Sequence, residues 1–253
     1  MSKFEYEAVS SSRGDNGVRT ILLNRPAQLN AMNRRLISDV TLAFEDANAD
    51  RKTRVIVFSG EGRAFCAGDD RNEHQHPASE TDAREFVELI QAATRAIVFG
   101  QKPVVGAING WAVGGGFEWA INCDFPIWAE SAKGFFPEVS LNLFVTGGVT
   151  SLLPALVGLN KAREMLFLGE RYDADALLQL GVAWRVVPDE QLMQAALEIA
   201  ARLGELPPAS VQAVKRVLNQ TAAFDLDKAL RLETDATVAG FMDPETTARL
   251  KDF

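Results

Sequence analysis

Short runs of apolar and β-branched residues alternate along this chain with longer stretches in which apolar positions recur every three or four residues. The short runs, at residues 18–23, 55–59, 103–108, 125–129 and 182–187, predict strands. Between the first two, Leu36, Ile37, Val40, Phe44 and Ala47 fall on one face of a helix over residues 33–48, and a second helical pattern covers 81–99. Strand and helix in alternation predict an α/β fold. Beyond residue 189 the strand signal stops, and helical patterns follow at 190–203, 208–220 and 226–239, punctuated by Pro207, Pro208 and Gly240. The chain therefore divides into an α/β core, residues 1–188, and a helical region, 189–253, that packs on its own core or on a neighbour. Residues 71–81 are polar and patternless, and predict a mobile surface loop.

The length of 253 residues is enough to bury a substantial core. A net charge of -8 with no basic stripe argues against a nucleic-acid partner, although a phosphate-bearing small molecule needs only a few local cations. Cys66 and Cys123 lie far apart in apolar surroundings without metal-ligand spacing, which predicts buried free thiols in a reducing compartment. The N-terminus has no apolar signal core, and no apolar run approaches the roughly 18 residues of a membrane span. The expected location is cytoplasmic, with no membrane partner.

Gly114, Gly115 and Gly116 interrupt an apolar stretch, with Glu118 in the first turn of the helix they open. Three consecutive glycines at a helix start are entropically costly, and imply close approach of backbone to something else. Two readings stand side by side. In one, free N–H groups receive a developing negative oxygen, with Glu118 one turn on as a base. In the other, the glycines allow tight packing and Glu118 is solvated. A second glycine turn, Ala67-Gly68-Asp69, follows the strand at 55–59, where open α/β sheets bind ligands. An oxyanion hole needs two such donors. Glu138 follows Pro137 either as a surface turn residue or as the second of two glutamates whose pKa values diverge for proton transfer. G-x-S-x-G and P-loop motifs are absent, and the glycines do not meet the dinucleotide-fold pattern. His74 and His76, the only histidines, are read as solvated loop residues and not as a metal pair.

Taken together, LNRPAQLNAM (residues 23–32), RAFCAGDD (63–70), NGWAVGGGFEWAINCD (109–124) and GFFPEVSLNL (134–143) resemble, in order and spacing, the motifs of the enoyl-CoA hydratase/isomerase, or crotonase, superfamily. The resemblance implies a spiral of β-β-α units followed by a helical region that makes trimers, commonly paired into hexamers. It implies an acyl-CoA thioester substrate, coenzyme A being part of that substrate, with no metal or redox cofactor. The thioester oxygen is expected on the N–H groups of Asp69 and Gly115, with Glu118 and Glu138 as catalytic residues. Arg25, Gln28, Asn30, Ala31, Ala64, Cys66, Ala67, Gly68, Asp70, Arg71 and Gly114 are expected near the coenzyme or thioester, and Trp111 and Phe144 around the acyl end.

Retention of both glutamates favours an enoyl-CoA hydratase that adds water to a 2-enoyl-CoA. An isomerase or another enolate reaction of the family is the alternative, and a non-catalytic acyl-CoA-binding protein a third. Several positions depart from the family pattern. Asp69 stands where a small or apolar residue is usual, its carboxylate either in solvent or reading a polar substrate group. Gln28 replaces a commonly basic residue, and Asn72 stands where lysine is frequent, so Arg71 or Arg25 is expected on the coenzyme's phosphates. Phe144-Val145-Thr146 replaces a Gly/Pro-rich turn, altering the acyl pocket, and the chain ends at Phe253 without the usual basic closing segment.

Overall fold

The computed structural model describes residues 2–221 and 225–252; Phe253 lies outside the described residues. The chain opens with an antiparallel ribbon, β1 (Ser2–Glu5), β2 (Val9–Arg13) and β3 (Val18–Leu23). Helix α1 (Arg34–Ala49) then crosses to β4 (Val55–Gly60), which lies parallel to β3. Asn33 caps α1 by accepting from the N–H of Leu36 at 2.8 Å, and Leu36, Ile37, Val40, Phe44 and Ala47 form its buried face, as the spacing predicts.

From β4 onward one device repeats: a strand in the large sheet, a short strand in a second sheet, then a helix. The first unit is β4, β5 (Ala64–Cys66) and α2 (Glu80–Val98); the second is β6 (Val104–Ile108), β7 (Trp111–Val113) and α3 (Gly115–Ile121). The third is β8 (Phe125–Ala129), β9 (Lys133–Phe135) and, after a 3-10 turn at Glu138–Leu141, α4 (Val149–Val157). Strands β4, β6 and β8 are parallel neighbours in one sheet, and β5, β7 and β9 in the other, so successive units stack as a spiral. The β-β-α spiral that the resemblance implied is the fold observed. Phe58 of β4 joins the layers, with its ring 5.1 Å from Phe44, 5.2 Å from Phe65 and 6.1 Å from Trp119.

Helix α5 (Leu159–Leu168), β10 (Tyr172–Asp173) and α6 (Ala174–Gln179) lead to β11 (Arg185–Val187), parallel to β8. This last strand is shorter than the predicted 182–187. The N–H groups of Val182 and Ala183 both turn back to the carbonyl of Leu177, so these residues close α6 and are unavailable to the sheet. Four helices follow: α7 (Leu192–Glu205), α8 (Pro208–Thr221), α9 (Leu226–Met242) and α10 (Pro244–Asp252). Within this region, α9 packs on the α/β core of the same chain. It lies on α2, with Val238 and Phe241 buried against Ala83 and Val87 of the same chain. No helix among the described residues is long and apolar enough to cross a membrane.

Candidate active site

A cleft forms where the ends of β5 and β7 meet the start of α3 and the 3-10 turn at Glu138–Leu141, and α9 and α10 close it with Thr237, Phe241 and Leu250. Its floor carries Asp69, Gly115, Glu118 and Glu138 together. These are the two residues expected to be catalytic, Glu118 and Glu138, and the two expected as oxyanion donors, Asp69 and Gly115.

The turn after β5 is held by the segment at 29–32. Met32 donates its N–H to the Gly68 carbonyl at 2.7 Å and accepts from the Asp70 N–H at 3.0 Å. Asp69 lies between these two bonds, and among the described residues its N–H donates to no other backbone group. The Asp69 carboxylate is partly exposed, with Oδ2 3.3 Å from Nδ1 of His74. His74 is a correction. Its side chain is only 6% exposed, stacked on Phe241 of α9 with ring centroids 5.8 Å apart, because α9 covers a loop that polarity alone assigned to solvent. Nδ1 of His76 lies 3.1 Å from the Thr247 hydroxyl on α10.

Each member of the glycine triplet meets a different neighbour. Gly114 caps α3 at φ 51°, ψ -122°, and a Cβ there would lie 2.5 Å from Oε1 of Glu138. A Cβ on Gly116 would lie 2.4 Å from the carbonyl oxygen of Cys66, so this glycine lets α3 sit directly on β5. Gly115 faces the cleft, and among the described residues its N–H, like that of Asp69, donates to no backbone group. Of the two readings of the triplet, tight packing explains Gly116 and extends to Gly115, where a Cβ would lie 2.7 Å from Sδ of Met32; Gly115 in addition keeps an N–H without a backbone acceptor among the described residues.

The two glutamates are both buried but differ in their partners. Thr146 donates its N–H to Oε1 of Glu118 at 2.7 Å and its hydroxyl to Oε2 at 2.6 Å. Burial pushes the Glu118 carboxyl up to about 7, against these two bonds, and the nearby Glu233 carboxylate adds to the rise. Among the described residues, Oε2 of Glu138 has no hydrogen-bond partner. Burial first, and then the charge on Glu118, holds the Glu138 carboxyl well above the ordinary range. The cleft thus holds one carboxyl equipped to ionise and one equipped to keep its proton. Glu118 is not the solvated residue of the alternative reading, and Glu138 is not a surface turn residue.

Among the expected binding residues, Ala67, Gly68, Arg71, Gly114 and Phe144 line the cleft. Asn30, Ala31, Ala64, Cys66 and Asp70 are buried behind it. The Asn30 amide donates to the carbonyls of Glu61 and Ala64 at 2.9 and 2.8 Å, fixing the start of β5. Gln28 is exposed on the 3-10 turn at Pro26–Gln28. Arg25 is turned inward, with 2.8 and 2.7 Å contacts to Asp70 and Glu73, so its charge is already matched and a coenzyme phosphate has to compete for it. Trp111 is not among the residues lining the cleft; it starts β7, with Phe135 edge-on and the Arg171 guanidinium 5.6 Å from its ring. Cleft-wall residues that sequence reasoning missed include Met32, Thr237, Phe241 and Leu250, and it named Thr146 only as part of a turn altering the acyl pocket, not as the partner of Glu118. Met32 lay inside a quoted motif, and Thr146 directly before two glycines; the other three carried no signal.

Residues 13–247 match the family described as enoyl-CoA hydratase/isomerase. The chain belongs to that family. Within it, the chain is 35% identical to a crotonyl-CoA hydratase of Syntrophomonas wolfei over 217 residues, covering 85% of this chain and 83% of the relative. It is 32% identical to the 1,2-epoxyphenylacetyl-CoA isomerase of Escherichia coli, covering 88% and 87%. Among solved structures, an enoyl-CoA hydratase from Mycobacterium avium subsp. paratuberculosis superposes with a TM-score of 0.89 at 27% identity, covering 98% of this chain and 96% of that one.

Proposed function

We propose that the protein is an enoyl-CoA hydratase that adds water across the double bond of a 2-enoyl-CoA thioester. The observation that carries this reading is the pairing of Glu118, with both oxygens on Thr146, and Glu138, with Oε2 unpartnered, in the cleft that also receives the free N–H groups of Asp69 and Gly115. Ionised Glu118 takes a proton from water as the water oxygen bonds to Cβ. The electron pair of the double bond moves to the thioester oxygen, and the resulting enolate is held by the N–H groups of Asp69 and Gly115. As the enolate collapses, protonated Glu138 delivers its proton to Cα. A carboxyl pushed up to about 7 with both oxygens hydrogen-bonded serves as a base at neutral pH, and one that burial and the neighbouring Glu118 charge hold well above the ordinary range serves as an acid, which supports this division of roles.

The coenzyme belongs to the substrate, and the route needs no metal or redox cofactor. The Ala67-Gly68 turn and Arg71 are the expected coenzyme contacts, and Phe144 an acyl contact. We further propose a cytosolic homotrimer, singly or paired into a hexamer. The apolar side chains of Leu159, Phe167 and Leu168, all exposed on α5, support burial against a second copy.

The test is hydration of a panel of 2-enoyl-CoA esters by the wild type and by Glu138→Gln. A hydratase loses turnover in the variant and keeps its affinity for the CoA ester; unchanged turnover would remove Glu138 from the mechanism. The second reading, double-bond isomerisation through the same enolate, is favoured by the isomerase relative. It predicts that the wild type moves the double bond of a 3-enoyl-CoA faster than it hydrates a 2-enoyl-CoA. Binding without turnover on either substrate would indicate an acyl-CoA-binding protein.

A further inference from the structure

We propose that Glu233, on α9, is a positioning residue for Glu118: it fixes the turn at 146–148, whose Thr146 donors hold the Glu118 carboxylate, so that docking of the C-terminal helix completes the base. The inference rests on the reading of Glu118 as that base.

Three successive N–H groups in this turn go to three different side chains from three different helices. The Thr146 N–H reaches Glu118 of α3 at 2.7 Å, the Gly147 N–H reaches Oε1 of Gln91 of α2 at 3.2 Å, and the Gly148 N–H reaches Oε2 of Glu233 of α9 at 2.8 Å. Oε1 of Glu233 then takes the Thr150 N–H at 2.8 Å and the Thr150 hydroxyl at 2.7 Å. The Gln91 amide in turn donates to the Leu230 carbonyl of α9 at 3.1 Å. Gly148 is the N-cap of α4 and has no side chain with which to cap it. The first N–H groups of α4 are instead met by a fully buried carboxylate far away in sequence.

Gly147 and Gly148 both stand at φ +69°, and a Cβ on Gly147 would lie 2.7 Å from Cβ of Glu118. The turn therefore runs against the Glu118 side chain, and a displacement of Gly148 moves Thr146 relative to both Glu118 oxygens. The other ionisable groups around Glu118 are Glu138 across the cleft and Cys66 from β5, whose thiol burial raises to about 12. Neither touches the turn. Glu233 is the group placed to act on Glu118 through Thr146.

A carboxylate that only capped α4 would leave the protonation of Glu118 unaffected, and one acting only as a neighbouring charge would raise it. Positioning has the opposite sign. Loosening the Thr146 donors removes hydrogen bonds to the ionised form, so loss of Glu233 should make Glu118 harder to ionise. The test is an infrared pH titration of the full-length protein, with the Glu118 carboxyl band assigned by its disappearance in Glu118→Gln. In Glu233→Gln the Glu118 midpoint should rise by about one pH unit, the scale of one hydrogen bond to a charged group, and hydration kcat at pH 7 should fall about fivefold as the ionised fraction drops from about one half to about one tenth, with KM little changed. In Thr150→Val, which removes one hydroxyl bond to Glu233 and keeps its charge, the midpoint should rise by less. If Glu233→Gln does not fold, Thr150→Val decides the matter by the same sign. An unmoved or lowered midpoint in folded Thr150→Val, where the Glu233 charge is retained, overturns the proposal. A raised midpoint in a protein whose wild type hydrates no enoyl-CoA would support the coupling and refute the hydratase reading; normal hydration with an unmoved midpoint would do the reverse.

Discussion

Gly114 lies so close to Glu138 that a single methyl group on it would fall 2.5 Å from Oε1 of the carboxyl. That contact separates the members of the glycine triplet by consequence. At Gly114 the obstacle is the end of a side chain, which can swing away; at Gly116 it is the backbone carbonyl of Cys66, which cannot. Gly116→Ala should therefore lower stability most, by several kcal/mol on the scale of overpacking at a rigid contact, about 1–3 or more. Gly114→Ala adds some strain at its positive φ, but its main effect should be displacement of Glu138 and a fall in kcat exceeding its fall in Tm. Thermal melts and turnover measured on both variants check the ordering, and equal effects on the two quantities would show that the triplet is a packing device only.

Asp69 offers a second separation, between a side chain and its own backbone. Its carboxylate is bound to His74, while its N–H has no backbone acceptor among the described residues, so the proposed oxyanion donor survives truncation. Asp69→Ala should keep hydration within about tenfold of wild type, whereas losing an oxyanion donor costs about 10²–10³ in kcat. A loss in that larger range for Asp69→Ala would place the carboxylate itself in the chemistry.

The thiols provide a check on the packing under α3. Cys66 and Cys123 are both buried, and burial raises each thiol far from the reactive thiolate. Neither should react with iodoacetamide at pH 8 until the protein unfolds, and mass spectrometry of the native protein after alkylation reads this directly. Rapid labelling of Cys66 would mean that α3 lifts from β5.

The large sheet was legible because its parallel strands are covered on both faces and read as unbroken apolar runs, as at Val104–Ile108 and Phe125–Ala129. The small sheet was not: β5, β7 and β9 have three residues each, too few for any period to appear. In the site, Asp69, Gly115, Glu118 and Glu138 sit on recognisable glycine and proline punctuation, and the fold brings them to one cleft. Thr146 and Glu233 escaped because their roles exist only after the chain has folded back, α9 reaching the start of α4 across the closed spiral. His74 was misassigned for the same reason: its exposure was judged without Phe241, the neighbour that tertiary structure supplies.

Glu118 also ties function to stability through pH. Its carboxyl titrates at about 7 in the folded protein against an ordinary 4.5, so an unfolded chain releases this proton at lower pH than the folded one. Between those values the folded state binds more protons. The contribution to stability is fully present below about 4.5 and is lost as pH rises through 7, at about 1.4 kcal/mol per pH unit. Glu138 and Glu233 are raised as well and act in the same direction. Glu118→Gln does not titrate here, so urea unfolding at pH 5 and at pH 8 should show the variant gaining on wild type by on the order of 2–3 kcal/mol between the two. The gain should accumulate mainly between pH 5 and 7. A difference that stays flat across this range would mean that Glu118 ionises at its ordinary value, and a base poised near neutrality would then have to be sought elsewhere in the cleft.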